Sequence, residues 1–122
     1  MKYLVVDDSG VMRRIHKNIL LENNVSESQI FEAENGEAGI KIAEIEDIGL
    51  FLLDWNMPKL DGLKFVKIIR SIEKYEDTPI IMITSEAAKY NVVDAISAGV
   101  TNYVVKPIKG DILWEKISRY VK

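Results

Sequence analysis

Tyr3–Val6, Leu50–Leu53, Pro79–Ile83 and Tyr103–Val105 are apolar runs with no polar residue inside them. A strand with one wet face alternates between apolar and polar residues. A short run without alternation is a strand buried on both faces, which means a parallel sheet covered by helices. Between these runs apolar residues recur at helical spacing. The candidate faces are Val11, Ile15 and Ile19; Ala38, Ile42 and Ile45; Phe65, Val66, Ile69 and Ile72; Val93 and Ile96; and Leu113, Ile117 and Val121. Gln29–Ala33 is a weaker strand. Ser9 is placed to cap the first helix, Asn35-Gly36 breaks the chain, and Gly99 is a helix C-cap. The order is strand then helix, repeated five times. This is the α/β class, a doubly wound (βα)5 fold with right-handed crossovers, and a common solution for five parallel strands is the flavodoxin-like order 2-1-3-4-5. With 122 residues and no linker, repeat or low-complexity tract, one domain over residues 1–122 is expected.

The polar residues fall at the strand ends. The first strand runs into Asp7-Asp8, the third into Asp54, the fourth into Thr84-Ser85 and the fifth into Lys106-Pro107. In a parallel sheet the binding crevice lies beyond the carboxyl ends of the strands, at the switch point between the first and third. Three acids, a hydroxyl and an ammonium therefore converge on one crevice. Crowded carboxylates raise at least one pKa unless a cation sits among them. Oxygen donors without sulfur suit a hard cation, and Mg²⁺ is the usual one where phosphate is also present. Lys106 and Thr84 are placed to meet phosphoryl oxygens, and an aspartate can itself be the nucleophile in phosphoryl transfer. On this reading the apolar run Leu50–Leu53 is a buried strand that holds Asp54 at the crevice mouth. The net charge of -3 argues against a nucleic-acid partner. The chain has no cysteine, which excludes thiolate chemistry, and no segment approaches a membrane span or a signal peptide. The cytoplasm is the expected location.

Jointly, "VVDDS", "LLDWNMPKLDGLKF", "IIMITSEA" and "AGVTNYVVKPI" resemble the receiver domain of response regulators, over essentially the whole chain, and within that family its stand-alone chemotaxis member. The resemblance implies that Asp54 accepts a phosphoryl group from a phosphohistidine on a sensor histidine kinase. It makes Asp7, Asp8 and Asp54 magnesium acids, Asp8 directly and Asp7 through water, with Asn56 adding its backbone carbonyl. It assigns Thr84 and Lys106, beside Ser85, to the phosphoryl oxygens, with a cis Lys106-Pro107 bond. Thr84 and Tyr103 become a switch pair, in which the hydroxyl moves toward the phosphate and the aromatic swings inward. Asn56 and Glu86 tune acyl-phosphate hydrolysis. Lys89, Val92, Tyr103 and Lys116 form a partner face on the fourth helix, last strand and last helix. Trp114 departs from the polar residue expected on or near that face. The implied protein is a monomer without an output domain, not a turnover enzyme, that docks a flagellar motor switch protein when phosphorylated and is open to a phosphatase. A phosphorelay carrier or phosphate sink shares the same residues.

Plainer readings stand beside these. Asp7-Asp8 alone suits a helix N-terminus. Thr84 could cap the fourth helix, and Tyr103 could be a fixed sheet aromatic. Trp55 reads as a partly exposed crevice wall and His16 as a surface or half-buried histidine. Lys64, Lys67, Arg70 and Lys74 read as a solvated stripe. Rival functions fit less well. A flavin carrier wants a phosphate loop after the first strand, where "DDSGVMRR" offers acids. An aspartyl-phosphate phosphatase wants a second acid at the position of Asn56. A degenerate structural receiver would not retain every reactive position.

Overall fold

The computed structural model describes residues 1–55, 61–85 and 89–121, and only the backbone of 89–91. Five parallel strands form one sheet: β1 (Lys2–Val6), β2 (Ile30–Ala33), β3 (Ile48–Asp54), β4 (Ile80–Thr84) and β5 (Asn102–Val105), in the order β2-β1-β3-β4-β5. Helices α1 (Gly10–Glu22), α2 (Gly36–Ile45), α3 (Gly62–Ser71), α4 (Lys89–Ala98) and α5 (Gly110–Ser118) follow the strands in turn. This is the expected doubly wound flavodoxin-like fold.

The pleat explains why the runs are apolar throughout. Leu4, Val6, Phe51, Leu53, Ile80 and Met82 face one side of the sheet, where they meet Ala43 of α2, Phe65, Val66 and Ile69 of α3, and Ala95 of α4. Their neighbours Tyr3, Val5, Leu50, Leu52, Ile81, Ile83 and Val104 face the other, where Ile19 and Leu20 of α1 and Leu113 and Ile117 of α5 cover them. Each such side chain contributes roughly 1.5–3 kcal/mol by leaving water. A polar residue on either face would forfeit that and bury an unpaired group.

The helices begin where the sequence offers an oxygen to the free amides. The Ser9 hydroxyl caps α1, accepting from Met12 N–H, and Asn35 caps α2, accepting from Ala38 N–H. Asn35-Gly36 is thus a helix start rather than a plain break. Asp61 caps α3 through Lys64 N–H. Gly99 closes α4 with φ +117°, in the left-handed region that favours glycine.

Two helix faces are turned from the spacing-based expectation. In α1 the buried residues are His16, Ile19 and Leu20, whereas Val11 is 72% exposed and Ile15 also faces solvent. In α4 the inward residue is Ala95, flanked by Val92 and Ala98, and Val93 and Ile96 point outward. Ile45 of α2 is likewise exposed. His16 is buried, correcting the surface reading. The charged stripe also loses a member: Lys64, Lys67 and Lys74 are exposed, but the Arg70 guanidinium donates to the carbonyls of Gly99, Tyr75 and Thr78.

Candidate functional site

Asp7 is the first residue beyond β1 and Asp54 the last of β3, so neighbouring buried strands deliver both carboxylates to the switch point. Asp7 is fastened from three directions. Its N–H donates to Ala33 O (3.1 Å), its Oδ1 accepts from Ser9 N–H (2.9 Å), and its carbonyl accepts from Arg13 Nη1 (2.6 Å). Asp54 is 3% exposed at the end of a strand that keeps pairing one residue further, through Trp55 N–H to Ile83 O. Trp55 is buried rather than half-exposed. Its ring lies so close to Gly62 that a Cβ there would sit 2.6 Å from Trp55 Cε3, so the first turn of α3 needs glycine.

The carboxylates of Asp7, Asp8 and Asp54 each bring an oxygen within 4.8 Å of the others. Asp7 and Asp54 are buried, and Asp8 opens to solvent. Burial is the main force that pushes the Asp7 carboxyl up to about 6; the Asp54 and Asp8 charges add to it, against the Ser9 N–H and the Lys106 ammonium. Asp7 Oδ2 is buried with no hydrogen-bond partner among the described residues. A buried unsatisfied carboxylate oxygen on a side chain clustered with two further acids is costly by itself. A hard divalent cation removes that cost, and an all-oxygen donor set is what such a cation takes. The residues present therefore fit one.

On the opposite wall Lys106 Nζ lies 3.3 Å from Asp54 Oδ1. The Lys106–Pro107 bond is cis, as the resemblance implied, and Lys106 N–H donates to Thr84 O (2.8 Å). The Thr84 side chain is buried, and among the described residues its hydroxyl donates to the adjacent Ser85 carbonyl at 3.4 Å, near the limit for such a bond. Ser85 is exposed beside it. Asn56, Glu86 and the side chain of Lys89 lie outside the described residues.

Further from the acids, Tyr103 is half-buried against the core under α3 and α4. Lys116 of α5 reaches over it: the ammonium lies 4.9 Å from the ring centre and donates to Tyr103 O (2.6 Å). Val92 is half-buried on α4. Trp114 is half-buried and packs on the opposite core, under α1 and α5, which explains an apolar residue there. The sequence reading missed three features. Arg13 braces the Asp7 carbonyl and also pairs with Glu32 (3.4 Å). His16 is buried within the field of Lys106, with neither ring nitrogen partnered among the described residues. Val93, Ile96, Val105 and Ile112 leave apolar surface on α4, β5 and α5. The last was legible: Val93 and Ile96 flank Ala95, and only one of two adjacent helical stripes can face the sheet.

Comparison with known proteins agrees with this geometry. The family model described as the response regulator receiver domain matches residues 3–118. A protein of Campylobacter jejuni subsp. jejuni named chemotaxis protein CheY homolog is 48% identical over 118 residues, covering 96% of this chain and 89% of the relative. Chemotaxis protein CheY1 of Helicobacter pylori is 47% identical, covering 96% and 94%. Among solved structures, the chemotaxis response regulator CheY4 of Vibrio cholerae superposes with a TM-score of 0.90 at 28% identity, covering 98% of each chain.

Proposed function

The chain belongs to the response regulator receiver domain family, as a CheY-like member, and on that premise we propose that it is a phosphorylation-driven switch of chemotaxis with Asp54 as phosphoryl acceptor. One observation carries the reading: buried Asp54 sits between an acid pair with an unsatisfied oxygen and the Lys106 ammonium 3.3 Å away. In the reaction an Asp54 oxygen attacks phosphorus, the P–N bond of a kinase phosphohistidine breaks, and imidazole departs. Phosphoryl transfer of this kind needs mainly positioning and neutralisation of charge. Asp7 and Asp8, with the carbonyl of Asn56, would hold Mg²⁺, which when bound offsets the negative charge of the phosphoryl oxygens. Lys106 meets one of those oxygens. The Thr84 hydroxyl turns to another at small cost, because its present bond is long. Thr84 and Tyr103 form the switch pair.

The output face is α4, β5 and α5. In support, Val93 and Ile96 are 67% and 54% exposed, and Val105 and Ile112 add to them. Large apolar side chains grouped in water are suited to covering by a partner. The partner that fits a chemotaxis receiver is a flagellar motor switch protein.

The test is intact mass after incubation with acetyl phosphate, with and without Mg²⁺, beside Asp54→Asn. We expect one phosphoryl adduct that requires Mg²⁺ and is lost in the variant. An adduct that persists in Asp54→Asn would move the acceptor elsewhere. Absence of both the adduct and a beryllofluoride complex would leave a structural receiver.

A further inference from the structure

Tyr103 lies on β5, one of the two edge strands of the sheet, and side chains meet both of its main-chain polar groups. Its N–H donates to Asn102 Oδ1 (2.8 Å), and its carbonyl accepts from Lys116 Nζ (2.6 Å). The same ammonium is 3.5 Å from Asn102 Oδ1 and 4.9 Å from the centre of the Tyr103 ring. One cation therefore grips the backbone and the aromatic face of one residue. Lys116 and Tyr103 are both half-buried, so this ammonium is less hydrated than a surface lysine and its attraction to the ring is less screened.

We propose that Lys116 is the positioning residue that holds the Tyr103 ring in its resting place, a latch that ring movement has to release. The hydrogen bond to the carbonyl fixes the ammonium, because the strand backbone does not move with the side-chain torsion. The ring can turn away only by leaving a cation that stays behind. Lys116 thereby sets the resting bias of Tyr103 whether or not Asp54 is modified. This deepens the switch reading and rests on it for its consequence, because removing the latch matters to signalling only if Tyr103 is part of the switch.

The experiment uses the unmodified protein, so the latch is read separately from the switch. Nuclear magnetic resonance reports the side-chain torsion and ring contacts of Tyr103 in wild type, Lys116→Met and Lys116→Arg. Methionine keeps the stem without the charge; arginine keeps the charge. We expect one ring orientation in wild type and Lys116→Arg. In Lys116→Met the balance should shift toward a second orientation by about 5-fold, the scale of one cation–π contact. Torsions and contacts in Lys116→Met that match wild type would overturn the proposal. Should Lys116→Met fail to fold, wild type and Tyr103→Leu are compared at the Lys116 ε-methylene. A ring-current shift lost in Tyr103→Leu supports the latch, and its absence in wild type overturns it. Wild type loaded with beryllofluoride and Mg²⁺ tests the switch alone: a ring that stays in place there removes the switch reading and leaves the resting contact standing.

Discussion

His16 is 1% exposed, both of its nitrogens lack a partner among the described residues, and burial, helped by the Lys106 charge, pulls its pKa down to about 4. At neutral pH the imidazole is uncharged, yet it still leaves two polar atoms dry. Each buried unsatisfied group costs ~1–3 kcal/mol, and replacing it with an apolar side chain of similar size recovers part of that. His16→Leu should therefore raise the stability at pH 7 by about 1–2 kcal/mol in urea unfolding. An unchanged or lower midpoint would show that the imidazole has partners in solution. Nothing in the sequence singles His16 out, because a histidine one step from Ile15 sits on the core face or off it according to a single helical rotation. Asp54 was readable for the opposite reason. Four apolar residues buried on both faces leave an acid nowhere to go but the strand end. Asp7 and Lys106 were readable by the same rule.

At the level of elements, strands and helices differ in legibility. The runs of β1, β3 and β4 matched because both faces are buried and register adds no ambiguity, whereas on the edge strand β5 Tyr103 is half-buried and Val105 exposed, against the doubly buried reading. The α3 face matched because Phe65, Val66 and Ile69 leave one apolar stripe. In α1 and α4 two adjacent stripes carry apolar residues, and spacing alone cannot choose between them. Packing chose His16, Ile19 and Leu20 in α1, and small Ala95 in α4. Arg70 shows a related limit, since its three- and four-residue spacing from Lys67 and Lys74 hides its reach. It ties the C-terminal end of α4 to α3 and to the entry of β4, through Gly99 O (2.6 Å), Tyr75 O (2.7 Å) and Thr78 O (2.6 Å). Arg70→Met would keep the stem and strip the donors from three carbonyls. A loss of ~2–5 kcal/mol in denaturant unfolding is expected, with faster amide exchange at the C-terminal end of α4. A loss under ~1 kcal/mol would mean that water replaces the guanidinium without penalty.

For the whole molecule, Asp7 and His16 pull the pH dependence of folding in opposite directions. The folded pKa of Asp7, about 6, lies above its ordinary 3.8, so the stability linked to it is full below pH 3.8 and is lost as pH rises through about 6. The folded pKa of His16, about 4, lies below its ordinary 6.5, so the stability linked to it is full above pH 6.5 and is lost as pH falls through about 4. Between these values the two slopes, each at most about 1 kcal/mol per pH unit, oppose one another. Asp7→Asn should unmask the histidine, giving a protein that gains stability from pH 4 to 6 relative to wild type. His16→Leu should do the reverse. Parallel profiles for all three proteins would refute both assignments. Mg²⁺ adds a third term on the same axis. A ligand that binds only the folded state stabilises it by about 3 kcal/mol at a hundredfold excess over its Kd. Here it must take the place of the proton on Asp7, whose Oδ2 has no other partner among the described residues. Thermal unfolding with and without Mg²⁺ should accordingly show the full stabilisation at pH 7 to 8 and a shrinking one as pH falls below about 6. Equal stabilisation at pH 5 and pH 7 would mean that the cation binds without displacing that proton, and the Asp7 ligand assignment would fall with it.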